Sequence, residues 1–218
     1  MRRVHDPERW SSEHVSHSSN AILHEPSLFG IEVAALLPPQ SHVLDLAAGQ
    51  GRDTRLFVDE GHVVTSLDFS EAALDLCASR LMSAERERVT FVLHGLQDPL
   101  PFDDGVFDAV YSHLGLHYFD IETTQRIFGD INRVLRPNGL FATMVNSVHD
   151  IEYGNGTFVD DFFYELEPGI WKRYFSVEHM RSLTNGLFEP MLLDDEGASI
   201  KPEKGEEHNF VRFVGRKI

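Results

Sequence analysis

The sequence predicts an α/β fold with a doubly wound, mostly parallel sheet of seven strands and helices on both faces. An apolar strand at residues 43 to 46 runs into a small-residue turn at 47 to 51 and then into a helix. A second apolar strand follows at 62 to 67. Strands and helices then alternate, and the last two strands, at 190 to 193 and 209 to 214, are predicted to pair antiparallel.

The turn after the first strand is the predicted ligand site. Asp45 is the one charge inside that apolar strand, which indicates a carboxylate that serves a ligand. Ala47, Gly49 and Gly51 carry little or no side chain, so a bound molecule can approach the backbone. The start of the next helix turns its free N–H groups towards that molecule.

An acidic residue also closes the second strand. Asp68 is placed to accept hydrogen bonds from both ribose hydroxyls of an adenosine group, and Phe69 is placed to lie on the adenine. The alternative is that Asp68 merely precedes Ser70, the predicted N-cap of a helix over residues 71 to 82. The position at the carboxyl end of the strand favours the ligand role.

The glycine pattern bears on which adenosine cofactor binds. A G-x-G-x-x-G frame that starts at Gly49 ends at Thr54, and the frame with Gly49 as its second glycine runs from Ala47 to Arg52. Neither frame fits the dinucleotide fingerprint. The loop therefore suits a nucleoside without phosphates, and a nicotinamide oxidoreductase is a disfavoured alternative.

Four motifs in order resemble those of the class I S-adenosylmethionine-dependent methyltransferases, over roughly residues 30 to 145. The motifs are residues 45–51, 67–70, 100–102 with 107–110, and 135–140. The resemblance implies the Rossmann-like class I methyltransferase fold, with S-adenosylmethionine as cofactor and S-adenosylhomocysteine as product. It also implies methyl transfer to a small-molecule O, N or S acceptor.

Cofactor contacts follow from the same resemblance. Asp45 is expected to serve the methionine end and Asp68 the ribose. Family members usually have an acidic residue where Leu96 stands, so Asp98 is a candidate replacement for that carboxylate. The residues assigned to the cofactor are Asp45, Ala47, Gly49, Gly51, Asp68, Phe69, Leu96, Gln97 and Ser112.

Two histidines follow the strand predicted at residues 106 to 112 and are the candidate catalytic residues. A neutral imidazole can take a proton from a hydroxyl, thiol or amine, so His117 and His113 are hypothesised as general bases. The alternative is a packing role, which a histidine at the second position often has in the resembled family. No metal site is predicted, because Gly115 lies between the two and a third ligand is not evident.

Composition limits the partners. The chain has 218 residues, 42% of them hydrophobic, and a formal net charge of −16. One domain over residues 1–218 is predicted, and the negative charge argues against a nucleic-acid partner. Cys77 is expected to be a small core residue, and the lone cysteine indicates a reducing compartment. We expect a cytoplasmic protein with no signal peptide and no membrane span.

Two segments flank the predicted catalytic region. Residues 1–38 are expected to form an N-terminal helical cap in which Trp10 covers the cofactor. Residues 147–175 form an acidic, aromatic insertion that is interpreted as a surface helix, with a lid over the acceptor as the alternative. Carboxylates on such a lid favour a neutral or cationic acceptor. A catalytically silent cofactor-binding or partner-binding protein is the other function that the sequence leaves open.

Overall fold

A computed structural model describes residues 6–16, 25–201 and 206–218 and has a seven-stranded sheet at its centre. The strands of this sheet are β1 (His42–Leu46), β2 (Val63–Asp68), β3 (Val89–Leu93), β4 (Phe107–His113), β5 (Leu135–Asn146), β9 (Phe188–Lys201) and β10 (Glu206–Lys217). Their spatial order is β3-β2-β1-β4-β5-β10-β9. β10 runs antiparallel to both of its neighbours, whereas β1 to β5 pair in parallel. The predicted fold class is confirmed.

Helices flank the sheet, and serine or aspartate side chains begin several of them. The helices are α1 (Pro7–Ser16), α2 (Leu28–Ala34), α3 (Arg52–Asp59), α4 (Glu71–Ser79), α5 (Ser83–Arg86), α6 (Ile121–Val134) and α7 (Val177–Thr184). The side chains of Ser70, Asp120 and Ser176 each accept a backbone N–H from the first turn of the helix that follows. The cap at Ser70 was predicted from the sequence.

The core lies on both faces of the sheet. Successive strand residues point to opposite faces, so Val43 packs with Phe29 and Phe57 while Leu44 packs with Phe128 and other apolar residues on the opposite side. Each of these five side chains is almost fully buried. Burial on both faces explains why the parallel strands are apolar runs without polar alternation.

The strand order reverses between β1 and β4. β2 and β3 continue the sheet to one side of β1, and β4 and β5 continue it to the other. In an open α/β sheet, the loops after the strands diverge at such a point and leave a crevice at the carboxyl ends. The fold therefore places the turn after β1 and the residues that follow β2 and β4 around one crevice.

The insertion at 147–175 differs from the sequence interpretation. Its interpretation as a surface helix is wrong, because the segment forms a three-stranded antiparallel sheet of β6 (Thr157–Asp160), β7 (Phe163–Glu167) and β8 (Ile170–Arg173). Positive φ angles at Gly154, Gly156 and Gly169 are incompatible with one continuous helix.

A buried arginine ties this insertion to the main sheet. The guanidinium of Arg173 donates to the carbonyl oxygens of Phe119 and Asp161 and forms an ion pair with Asp160 at 3.2 Å. It also lies over the ring of Phe163, 4.9 Å from the ring centre.

Within the described residues, no helix is both long and apolar enough to cross a bilayer.

Gly51 begins α3 in a left-handed conformation with φ of 75°. A Cβ atom built on Gly51 would lie within van der Waals overlap of the Cys77 side chain on α4, whereas one built on Gly61 would contact nothing within 4 Å. Cys77 is 1% exposed, so its predicted core position is confirmed. The close packing of α3 against α4 therefore requires glycine at position 51.

We predict that Gly51→Ala destabilises the protein more than Gly61→Ala. Both replacements put a side chain at positive φ, at a cost of about 1–2 kcal/mol. Only Gly51→Ala also forces overlap with Cys77, which adds about 1–3 kcal/mol. Urea unfolding of the two variants measures the difference. Equal losses of unfolding free energy would show that the contact with Cys77 is easily relieved.

Candidate functional site

A cavity of about 270 Å³ lies at the carboxyl ends of β1, β2 and β4. We refer to it as the carboxyl-end cavity. The residues that line it are Trp10, Asp45, Ala47, Ala48, Gly49, Gln50, Arg52, Asp53, Leu67, Asp68, Phe69, His94, Leu96, Gln97, His113, Leu114, Gly115, Tyr118 and Phe119. Ala47 and Leu114 adopt positive φ angles of 54° and 60°, so the loops after β1 and β4 both carry backbone strain where they border the cavity.

Most residues predicted to contact the cofactor meet at this cavity. The seven that line it are Asp45, Ala47, Gly49, Asp68, Phe69, Leu96 and Gln97. The other two, Gly51 and Ser112, are not among the described lining residues. Gly51 packs against Cys77 instead, and the Ser112 hydroxyl is fully buried and donates to the carbonyl oxygen of Leu46 at 2.9 Å. Ser112 thereby connects β4 to the end of β1.

Asp68 uses both carboxylate oxygens to fix the loops around it. One oxygen accepts the N–H of Gly49 and the other accepts the N–H of Ser70, both at 2.9 Å. Asp68 is 3% exposed and borders the cavity. Each carboxylate oxygen carries two lone pairs, so a carboxylate at this position can accept more than two hydrogen bonds.

Asp45 is an acid of the cavity with a strongly raised pKa. Its carboxylate accepts a hydrogen bond from the Thr54 hydroxyl at 2.6 Å. Burial, with smaller contributions from Asp53 and Asp68, raises the pKa of Asp45 to about 8, although the Thr54 bond opposes that rise. The free protein therefore keeps Asp45 largely protonated at neutral pH, and a cation placed beside it would favour ionisation.

The two candidate bases occupy different places. His113 borders the cavity, and burial lowers its pKa to about 4, so its imidazole is neutral at physiological pH. His117 is 2% exposed and packs on Tyr118, with ring centres 4.3 Å apart, and it is not among the described lining residues. The structure thus brings only His113 of this pair to the cavity.

Sequence reasoning missed an acid that joins three elements. The carboxylate of Asp53 on α3 accepts the backbone N–H of Ser27 at 2.7 Å and the Tyr111 hydroxyl at 2.8 Å. The Ser27 hydroxyl donates to the same carboxylate at 2.9 Å. Asp53 is 4% exposed, so these bonds anchor the start of α2 and strand β4 to the cavity wall. An acid in the first turn of a helix was the available sequence signal.

Helix α1 lies across the mouth of the cavity. The Trp10 ring makes edge contacts with Phe69 and Tyr118, at centre distances of 6.5 and 5.1 Å. The hydroxyls of Ser11 and Ser70 are 2.9 Å apart. The helix therefore meets the loops that follow β2 and β4. Trp10 lines the cavity, but closure of the N-terminal cap stays a prediction.

Comparison with known proteins agrees with this geometry. Residues 43–139 match a family model described as a methyltransferase domain. The chain is 37% identical, over 112 residues, to an uncharacterized methyltransferase of Synechocystis sp., a match that covers 51% of this chain and 50% of that protein. Within this segment the chain is therefore similar to the methyltransferases that its four sequence motifs resemble.

Further methyltransferases are similar to the chain in sequence or in fold. Over 97 residues the chain is 39% identical to a demethylmenaquinone methyltransferase of Clavibacter sepedonicus, which covers 44% of this chain and 38% of that protein. The Burkholderia thailandensis 1,6-didemethyltoxoflavin-N1-methyltransferase with bound 1,6-didemethyltoxoflavin and S-adenosylhomocysteine superposes with a TM-score of 0.68 at 24% identity, covering 98% of this chain and 91% of that one. The chain spans half or less of the length of these two sequence relatives.

The residues present fit the cofactor of this family. Two buried nitrogens in the cavity wall, Nε of Arg52 and Nε2 of His94, have no hydrogen-bond partner among the described residues. Arg52 lies next to Asp53, with 3.8 Å between guanidinium and carboxylate. S-adenosylmethionine carries a carboxylate, a ribose and a nucleobase, and the free nitrogens of Arg52 and His94 together with Asp68 match such groups.

We predict that Asp45 makes the stability of the free methyltransferase fall as pH rises between about 4 and 8. The pKa of Asp45 lies at 3.8 in the unfolded chain and at about 8 in the folded protein, so the folded form holds the extra proton in this window. The stabilising contribution of the protonated Asp45 is fully present below pH 3.8 and is lost as the pH rises through about 8. Between these values the free energy of unfolding falls by about 1.4 kcal/mol per pH unit at most. Urea unfolding of the parent and of Asp45→Asn at pH 5, 6 and 7 measures it. Parallel pH profiles would contradict the assignment.

We predict that Asp68→Ala weakens binding of S-adenosylhomocysteine by about 5- to 150-fold, because ribose hydrogen bonds worth about 1–3 kcal/mol are lost. Asp75→Ala, which removes an exposed acid on α4, is the matched control and should leave the affinity unchanged. Isothermal titration of each variant gives the dissociation constants. An unchanged affinity for Asp68→Ala would exclude Asp68 as the ribose partner.

Proposed function

We propose that the protein transfers a methyl group from S-adenosylmethionine to a small-molecule acceptor. The observation that carries this proposal is the carboxyl-end cavity, where Asp68 borders the same space as the strained turn after β1. Similarity to a methyltransferase domain over residues 43–139 supports the reaction type. The acceptor is proposed to be small because the net charge of −16 disfavours polyanions and because the relatives named above act on small molecules.

Residues along the cavity wall would hold successive parts of the cofactor. Asp68 would hold the ribose, while Phe69 and the segment from His94 to Gln97 would border the adenine. Arg52 would pair with the carboxylate at the methionine end, and Asp45 would face the positive charge there. Ionisation of Asp45 next to that charge would release a proton when the cofactor binds.

Methyl transfer from this cofactor requires the protein mainly to position the reactants and to exclude water. The sulfonium of S-adenosylmethionine supplies an already activated methyl group. Trp10, Tyr118 and Phe119 would exclude water from the approach to it, and positioning of the acceptor supplies the remaining acceleration. The protein's own residues thus orient the two reactants and keep the cavity dry.

The state of the candidate bases favours a nitrogen acceptor. A pKa of about 4 makes His113 a weak base that cannot readily take a proton from a hydroxyl group. A neutral nitrogen nucleophile attacks before it loses a proton, so it needs no strong base. Among the O, N and S acceptors that the sequence left open, we propose nitrogen, with His113 as the residue beside the reaction and His117 in a packing role.

The acid-rich insertion does not supply the charge selection expected of a lid. Asp160 is engaged with Arg173, and neither Asp160 nor Asp161 is among the described residues that line the carboxyl-end cavity. A cationic acceptor therefore gains nothing from these two carboxylates within the described structure. The insertion instead adds a fixed wall beside the cavity through the bond from Arg173 to Phe119.

We expect the purified protein to bind S-adenosylhomocysteine and to transfer labelled methyl from S-adenosylmethionine to at least one member of a panel of small nitrogen heterocycles and amines. Arg52→Met should weaken cofactor binding by about 10- to 100-fold, because a charge-assisted hydrogen bond is lost. Arg55→Met removes an exposed arginine from the same helix and should have no effect.

Two outcomes would count against this proposal. Equal effects of Arg52→Met and Arg55→Met would remove the proposed anchor for the cofactor carboxylate. Tight binding of S-adenosylhomocysteine without methyl transfer to any acceptor, including hydroxyl and thiol compounds, would favour the catalytically silent alternative.

A further inference from the structure

A second cavity, also of about 270 Å³, lies beside the first and shares Trp10 and Tyr118 with it. We refer to it as the side cavity. The residues that line it are Arg9, Trp10, Tyr118, Glu152, Leu166, Glu167, Ile170 and Lys172. They come from α1, the segment after β4 and the inserted sheet, so a molecule held there would lie next to the cofactor.

The charged residues of the side cavity are already paired. Lys172 Nζ donates to Glu152 Oε2 at 2.6 Å, and these side chains are only 14% and 23% exposed. Arg9 and Glu167 form a second pair at 2.9 Å nearer the surface. The four formal charges cancel. The lining therefore has no net charge, unlike the chain as a whole.

The arrangement of Glu152 is built into the fold. Its backbone N–H donates to Asp150 at 2.9 Å, and the Asp150 carboxylate is held in turn by His208 Nδ1 and by the N–H of Asn209, each at 3.0 Å. Asp150 and His208 are 4% and 2% exposed. These two residues are positioning residues that hold Glu152 opposite Lys172.

A divalent cation fits this cluster less well than the pair it already contains. Asp150, Glu152 and His208 offer three ligand atoms that lie within 4.8 Å of one another. The ammonium of Lys172, however, already stands against Glu152 and would repel a metal ion there. Asp150 and His208 therefore serve to hold Glu152 in its ion pair with Lys172.

Apolar surfaces complete the side cavity. Trp10 and Tyr118 present aromatic rings at 74° to each other, and Leu166 and Ile170 come from neighbouring strands of the inserted sheet. Rings and branched aliphatic side chains pack well on flat molecules. A flat molecule between these residues would bring its polar edge to Glu152 and Lys172.

The paired charges select against ionic ligands. An anion would compete with Glu152 for Lys172, and a cation would compete with Lys172 for Glu152, so either ion would have to disrupt this partly buried pair. A neutral molecule with a hydrogen-bond donor next to an acceptor can bond to both residues without separating them. Glu152 would accept from its donor, and Lys172 would donate to its acceptor.

We propose that the side cavity binds the methyl acceptor and that this acceptor is a neutral, planar nitrogen heterocycle or carboxamide with adjacent donor and acceptor groups. The inference rests on the proposed function, since it assigns the second substrate of that reaction. It narrows the neutral or cationic acceptor expected from the sequence to a neutral one.

The test uses three probes with one pyridine ring and different charge: nicotinamide, nicotinate and 3-(aminomethyl)pyridine. Ligand-observed magnetic resonance on protein saturated with S-adenosylhomocysteine should show nicotinamide binding at least about 10-fold more tightly than either ion. Lys172→Met should reverse the preference towards the cationic probe, because the described lining residues of the side cavity then carry more negative than positive charge. Glu152→Gln should reverse it towards nicotinate.

A matched control and the binding of the cofactor product keep the interpretation clear. Arg136→Met removes the cation of an exposed ion pair with Asp108, and neither residue is among the described lining residues, so it should leave the preference unchanged. Equal binding of the three probes, or no binding of nicotinamide, to protein that binds S-adenosylhomocysteine would overturn the assignment of the side cavity. Failure to bind S-adenosylhomocysteine would instead overturn the proposed function.

Discussion

The site depends on the carboxylate of Asp68, which accepts backbone N–H groups from the ends of two different loops. Gly49 belongs to the turn after β1 and Ser70 begins α4, so a single buried group fixes their separation. Ser70 in turn lies 2.9 Å from Ser11 of α1 through the two hydroxyls. The same residue that is expected to hold the ribose therefore also fixes the two loops beside the cavity, one of which contacts helix α1.

Charge in the carboxyl-end cavity is arranged around its acids. Asp45, Asp53 and Asp68 border one space, and their proximity together with burial keeps Asp45 protonated in the free protein. His113 is neutral for the same reason of burial. A cationic group in the cavity would therefore be attracted by these acids. Arg52, on the same wall, provides a positive charge that can pair with a carboxylate. A zwitterionic methionine moiety with a sulfonium is complementary to that pattern.

The sequence predicted the parts of the structure that depend on local pattern. The strands of the parallel sheet, the helix cap at Ser70 and the grouping of most cofactor residues follow from apolar runs and turn chemistry. It did not predict what depends on distant packing. Gly51 is needed because Cys77 lies against it, and Arg52 borders the cavity because α3 starts there. The insertion was misread because aromatic and acidic residues suit a half-buried strand as well as a helix face.

The two cavities differ in electrostatic character although they share Trp10 and Tyr118. The carboxyl-end cavity is lined by three acids that favour a bound positive charge. In the side cavity, by contrast, the described charged residues form two ion pairs. A cationic acceptor would therefore compete with the sulfonium of the cofactor for the acids of the carboxyl-end cavity. A neutral acceptor can lie beside the cofactor without this competition. The rings of Trp10 and Tyr118 contact each other and line both cavities, so both proposed reactants would lie against them. Because Asp150 and His208 fix Glu152 opposite Lys172, this ion pair is held by the fold and does not depend on a bound cofactor.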